Sequence, residues 1–384
     1  MSWTEIKYKK SEVDLAGDIL INKNSSKEDL DNARIILDNW RSSHSFPLHT
    51  FKIRLKRVSE LVDPKALVVR RLKRTPAIIK KLQRKYEGRN PTMKLSQMQD
   101  IGGCRSVVSN VKLVKKLCNE YYHIDKNTKG KHCDLKHYFK NKKDYIAEPK
   151  PDGYRSIHLI YKYNSDKKQK KYNGLLIEIQ VRSRLQHFWA TAIETVDHFT
   201  KQALKSNEGE KEWKDFFKLI SSVFANFEKT PKVPGTPEDK FDLYSQVKSL
   251  SSKLNVVDKI KNWAKLVNII GRLEQKHKSH FYLLNLDIDT KKLYISAFEK
   301  VDEEKASLAY SEAEKKASQE KLNRDIVLVE ADTTKELQKA YPNYFLDTNE
   351  FLSILEGYLN NKDKTLNPDP HILVGEPPKI IKTP

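Results

Sequence analysis

Three things are scarce in this 384-residue chain, and each scarcity closes off a set of functions. Cysteine occurs at Cys104, Cys118 and Cys133 only, an odd number, far apart and with no CxxC pair. Such spacing suggests neither a disulfide framework nor a zinc site and leaves inert thiols. No apolar run reaches the roughly 18 residues of a membrane span. The opening residues, MSWTEIKYKK, lack the apolar core of a signal peptide, so the expected location is the cytoplasm. Acidic side chains are also short: 51 Asp and Glu stand against 72 Lys and Arg, a net charge of +21. That excess favours a polyanionic partner such as nucleic acid or nucleotide phosphates.

What is present is best read outward from Leu175–Thr191. Ile177, Ile179 and Val181 alternate with Glu178, Gln180 and Arg182, the two-residue period of a strand. An acid, an amide and a base aimed from one sheet face form the floor of a polar cleft. A solvated face with cross-strand ion pairs carries the same pattern, so the strand alone does not decide.

Upstream, residues 1–48 read as helical, with Ala33, Ile36, Leu37 and Trp40 at helical spacing and Pro47 ending the run. A second amphipathic helix follows, with Phe51, Leu55, Val58 and Leu61 on one side and Lys52, Lys56 and Arg57 on the other. Thr75 before Pro76 reads as an N-cap and first-turn pair, opening a helix with Ile78, Ile79 and Leu82 inward. Residues 51–90 hold 14 Lys or Arg against 3 Asp or Glu. Cations just before a helix start and on its first turns can converge on one polyphosphate. Asp100 opens a strand over Ile101–Val108, where two glycines allow close backbone approach, and a carboxylate there suits a metal. Residues 125–143 are polar and lysine-rich, and His132, Cys133 and His137 offer no fourth ligand at a zinc spacing. Pro149, Pro151 and Gly153 enforce a turn that presents Lys150, Tyr154 and Arg155, an aromatic plate between cations, suited to a stacked base. A strand from Ser156 to Tyr161, then a helix from Arg184, complete this part. The Pro, Gly and Thr cluster at 230–238 reads as a linker.

Four ordered segments, RLKRTPAIIKKLQRK, DIGGCR, DYIAEPKPDGYRSIH and IEIQVRSRLQHFWAT, together resemble the synthetase domain of the RelA/SpoT homologue family over about residues 50–205. The resemblance implies a nucleotidyltransferase-like α/β fold, a mixed sheet flanked by helices. It also implies transfer of pyrophosphate from ATP to a ribose hydroxyl. By that resemblance Asp100 and Glu178 hold Mg²⁺. Arg71, Lys73, Lys81 and Arg84 grip ATP. Tyr154 stacks on the acceptor base, and Arg105, Lys150, His158, Gln180 and Arg182 line the cleft. Phosphoryl-type transfer needs those parts: metal between carboxylates and phosphates, cations for developing charge, and a placed hydroxyl whose proton Glu178 can accept. No His-Asp dyad stands ahead of these motifs, so synthesis without hydrolysis is expected. Two positions depart from the family: Thr75-Pro76-Ala77 replaces a Ser-Pro-Glu-Ser pattern, and His187 stands where small guanosine-phosphorylating members usually carry Asn.

The expected organisation is a catalytic domain over 1–235 with a helical N-terminal extension, a small α/β unit over 240–365 and a Pro-rich tail over 366–384. In the second unit YPNY spaces Tyr341 and Tyr344 three apart, a pair that equally serves a small core. A synthetase domain followed by such a unit resembles the fused toxin–antitoxin CapRel branch. That resemblance implies a Tyr-x-x-Tyr plug of the ATP site, release by a phage capsid protein, and pyrophosphorylation of the 3′ CCA end of tRNA. The basic stretches suit tRNA. Two alternatives stay open: an alarmone synthetase acting on GDP or GTP, and an RNA-binding regulator with a dead site.

Overall fold

A computed structural model describes residues 3–84, 91–122, 137–166, 169–200, 210–265, 268–270, 279–320, 322–331, 337, 338 and 348–360. Its strands are β1 (Leu67–Leu72), β2 (Gly102–Val108), β3 (Tyr138–Asp144), β4 (Ile157–Lys162), β5 (Leu176–Ser183), β6 (Asn268–Ile270), β7 (Ser279–Asp287), β8 (Lys292–Glu299) and β9 (Arg324–Glu330). They form one mixed sheet of nine strands in the order β3-β4-β5-β2-β1-β9-β7-β8-β6. β2 runs parallel to β5 and β6 to β8, and the other neighbours are antiparallel. The α/β class and the flanking helices agree with the sequence reading.

The helices are α1 (Lys10–Ile21), α2 (Lys27–Ser43), α3 (Ser45–Val62), α4 (Thr75–Leu82), α5 (Val111–Tyr122), α6 (Arg184–Thr200), α7 (Lys211–Glu228), α8 (Lys240–Leu254), α9 (Val256–Lys265), α10 (Glu303–Gln319) and α11 (Asn349–Asn360). One core joins α1, α2, α3 and α5 to the apolar face of β2 and β5 through Leu37, Phe51, Leu55, Val114, Ile177 and Ile179. A second gathers α6, α7, α8, α9 and α11. On β1, β9, β7 and β8 a third core collects Val69, Tyr282, Leu284, Val327, Val329 and Leu337, while α10 covers Phe281, Leu283, Ile326 and Leu328.

Several local expectations are corrected. Pro47 does not end a helix; it lies in the first turn of α3, where its missing N–H has no helical partner to lose. Leu61 is 78 % exposed rather than on the buried stripe, and Lys52 is buried rather than solvated. Lys52 Nζ lies 3.3 Å from Glu330 Oε1 on β9. Arg74, not Thr75, is the N-cap of α4. The lysine-rich stretch before Tyr145 contains edge strand β3, whose charged positions Lys140, Lys142 and Lys143 guard an open strand edge. The 230–238 stretch is an ordered loop packed on α7: Val233 is buried and its N–H donates to Ser222 Oγ at 3.0 Å.

Candidate active site

The cleft is built from strand register. Arg71, Gly103 and Glu178 are cross-strand partners in one row, and Val69, Arg105, Gln180 and His158 occupy the next row on the same face. Arg71, Lys73, Asp100, Arg105, Glu178 and Gln180 all line this one cleft.

Lys73 leaves the end of β1, where its N–H donates to Ile101 O at 2.7 Å and ties it to the turn carrying Asp100. Lys73 Nζ donates to Asp100 Oδ2 at 2.9 Å and Lys81 Nζ, from α4, to Oδ1 at 2.8 Å. Burial pushes the Asp100 carboxyl up, but Lys73 and Lys81 together pull it far below the usual carboxylate range. Burial pushes the Lys73 ammonium down, against the pull of Asp100. Behind it, Arg41 Nε donates to Lys73 O at 2.7 Å, and the Arg41 guanidinium lies 4.0 Å over the Tyr310 ring of α10. The Tyr310 hydroxyl accepts the Thr75 N–H at 3.2 Å, satisfying a donor at the start of α4.

The Glu178 side of the cleft is a hydrogen-bonded chain. His158 Nδ1 lies 2.9 Å from Glu178 Oε1 and Nε2 lies 2.9 Å from the Tyr154 hydroxyl. An ionised carboxylate only accepts, so the Nδ1 that faces Glu178 carries a proton. Gln180 Nε2 donates to the other Glu178 oxygen at 2.6 Å. Burial raises the Glu178 carboxyl; the bond and charge of His158 outweigh it and leave a net lowering. Glu178 is thus held ionised and aimed. Lys150 Nζ caps the Tyr145 and Tyr154 rings at 4.6 and 5.0 Å.

Other expected residues sit further out. Arg84 is exposed just past α4 and feels Lys150 electrostatically. Arg182 and His187 are both buried and in contact through the guanidinium and Nδ1, with His187 stacked on Phe188 at 6.3 Å between centroids. Burial, then Arg105, pushes the Arg182 guanidinium well down. Arg155 does not flank the aromatic plate; it turns away and is buried against α7. Tyr341 and Tyr344 lie outside the described residues. Among the described residues no cluster of three or more His, Cys, Asp or Glu is arranged to hold a metal. The residues that sequence reasoning missed are Tyr145, edge-on to Tyr154 at 6.0 Å, and the Arg41–Tyr310 pair behind Lys73. The Asp-Tyr step ending β3 was a usable signal for Tyr145; Arg41 and Tyr310 carry none, being joined only by the fold.

Comparison with known proteins gives a consistent picture. Residues 70–202 match the family described as the region found in RelA / SpoT proteins. The chain is 28% identical over 172 residues to GTP pyrophosphokinase YjbM of Bacillus subtilis (strain 168), covering 42% of this chain and 70% of that protein. It is 27% identical over 172 residues to GTP pyrophosphokinase YwaC of the same organism, covering 42% of this chain and 76% of that one. Among solved structures, small alarmone synthetase 1 from Bacillus subtilis bound to its product pppGpp aligns with a TM-score of 0.39 and 23% identity, over 48% of this chain and 89% of that one.

Proposed function

We propose that this ATP-dependent pyrophosphotransferase, whose residues 70–202 carry the RelA/SpoT region, moves the pyrophosphoryl group of ATP onto a ribose hydroxyl at the 3′ CCA end of tRNA. The observation that carries the transfer chemistry is the shared cleft, lined by two carboxylates, Asp100 and Glu178, and by Lys73, Arg71 and Arg105. Lys73, Lys81 and Arg71 bind the donor phosphates and meet the charge that develops on them. Tyr154 and Lys150 hold the acceptor base, and Glu178, fixed by His158 and Gln180, takes the hydroxyl proton.

Mg²⁺ fits the cleft. Asp100 and Glu178 line the same cleft, and Mg²⁺ takes one or two carboxylates plus substrate phosphates rather than an all-protein cage. Asp100 and Glu178 would hold it, and it would supply charge neutralisation between donor oxygens.

The tRNA assignment draws support from the +21 net charge and from Lys140, Lys142 and Lys143 along the exposed β3 edge, with Lys143 paired to cleft residue His158. A second reading, GDP or GTP as acceptor, is favoured by the 28% identity to a GTP pyrophosphokinase. The C-terminal part is read as the regulator of this site. Leu337, four residues before Tyr341, packs in the same core as Val69, which lines the cleft. A phage capsid protein as trigger, and a role in anti-phage defence, rest on the CapRel resemblance alone.

The test incubates the protein with ATP labelled in its terminal phosphates, together with tRNA, GDP and GTP separately. Label at the tRNA 3′ end supports the reading, label in the guanosine nucleotide alone selects the second, and label in none of them overturns both.

A further inference from the structure

The structure assigns Arg155 and Ser221 as positioning residues for the acceptor side, with α7 as the brace on which the Tyr154 plate is mounted. This rests on the proposed role of Tyr154 as the acceptor plate. The plate follows a tight turn: Gly153 N–H donates to Lys150 O at 2.9 Å and Tyr154 N–H to Asp152 Oδ1 at 2.8 Å. Gly153 adopts φ +95, and a Cβ there would meet Ser221 Cβ at 2.9 Å, so only glycine lets the turn lie directly on α7.

Side chains then fix it in place. Ser221 Oγ donates to Gly153 O at 2.6 Å and accepts from Arg155 Nε at 3.0 Å. The rest of the guanidinium reaches the chain just after α7: Nη1 donates to Thr230 Oγ1 at 3.4 Å and Nη2 to Pro231 O at 2.6 Å. Lys229, in the left-handed region at φ 51, turns the chain there and brings those acceptors round. Further along the same helix, Phe217 O accepts the Trp189 indole N–H at 2.8 Å, and Glu228 Oε2 accepts Gln186 Nε2 at 2.8 Å. Gln186 and Trp189 flank His187 and Phe188 on α6. One helix thus grips both the Tyr154 turn and the start of α6.

Arg155 is 3 % exposed, and its guanidinium is bonded to α7 and the loop after it, so its charge is not offered to substrate. The 70–202 family region ends before α7 begins at Lys211. The acceptor site therefore depends on residues outside that region.

The test uses the full chain with Ser221→Ala and Arg155→Lys. Hydrogen exchange of the amides of 152–156 should speed up in both variants while those of β5 keep wild-type protection. In the labelled-ATP assay, with tRNA and with GDP, the acceptor KM should rise about tenfold while the ATP KM stays level. Unchanged exchange at 152–156 in both variants, or a parallel rise of both KM values, overturns the brace. A wild-type protein that labels neither acceptor sinks the proposed function instead, and the exchange measurement then decides the brace alone.

Discussion

Glu228 gives the contact between α7 and α6 a pH signature. Its carboxylate accepts from Gln186 and faces the Arg155 guanidinium, yet burial dominates and lifts its pKa from 4.5 to about 7, against the bonds of Ser183 and Gln186 and the charge of Arg155. A carboxyl whose folded value lies above its unfolded one keeps its proton in the fold after the open chain has lost it. Its stabilisation is therefore complete below pH 4.5 and is lost as the pH rises through about 7. At roughly 1.4 kcal/mol per pH unit the whole swing is about 3 kcal/mol. Glu228→Gln keeps an oxygen for Gln186 and cannot ionise.

The readout is the stability of the variant minus that of the wild type, from urea unfolding at pH values between about 5 and about 8. The subtraction removes other groups, including Asp100, whose depressed pKa works in the opposite direction and costs stability only in acid. The difference should grow in favour of the variant by about 2 to 3 kcal/mol across that range, mostly below pH 7. A flat difference refutes the burial argument. A difference that instead favours the wild type toward alkaline pH means that Arg155 stabilises a charged Glu228, and the α7 contact is then an ion pair.

Asp100→Asn should separate binding from chemistry. Freed of their carboxylate, Lys73 and Lys81 should hold a non-hydrolysable ATP analogue several-fold tighter in EDTA by calorimetry, while pyrophosphate transfer falls about a hundredfold or more. Glu178→Gln should lower transfer by about 10²–10⁴-fold with ATP affinity retained, measured in the labelling assay and by analogue binding. Glu330→Gln removes the buried carboxylate that Arg70 and Lys52 share, and the urea midpoint should fall by the equivalent of about 3 kcal/mol. Tyr310→Phe removes the acceptor of the Thr75 N–H and should cost about 1 kcal/mol in the same measurement, with a raised ATP KM.

The strands that line the cleft were legible because their chemistry is local. The Ile177 to Arg182 alternation is one strand seen from one side, and Lys73, Asp100 and Tyr154 each sit at a strand end or a Pro/Gly turn, which sequence punctuates plainly. β3 was missed since an edge strand with three lysines looks like a polar loop. Arg155 was misplaced because sequence shows a cation beside a plate and not the direction it turns; Ser221 and Pro231, which decide that, are distant in the chain. Lys52 failed for the same reason. Its partner Glu330 lies on β9, so an amphipathic pattern within α3 alone puts it on the wrong side.

Glu330 also bears on how the C-terminal strands join the catalytic sheet. β9 meets β1 over only two residue pairs, Arg70 with Glu330 and Arg71 with Val329. On one face of this seam Val69 and Val329 share an apolar core. On the other, Glu330 is 2 % exposed and contacts Arg70, with Lys52 Nζ at 3.3 Å and His280 Nε2 at 2.8 Å. An apolar seam of the same size would stabilise more, because burying these charges has a large desolvation cost. What the ionic node adds is register: a one-residue slip of β9 would carry Glu330 to the cleft face and away from Arg70 and Lys52. That register sets the position of Arg71, which lines the cleft one residue further along β1. On the Lys73 side Tyr310 steadies the start of α4, and on the Glu178 side α7 carries the Tyr154 turn while packing Phe217 and Phe224 on Phe351 of α11. Both halves of the cleft therefore rest on elements beyond residue 202, and a rearrangement of the C-terminal part would be felt at both together.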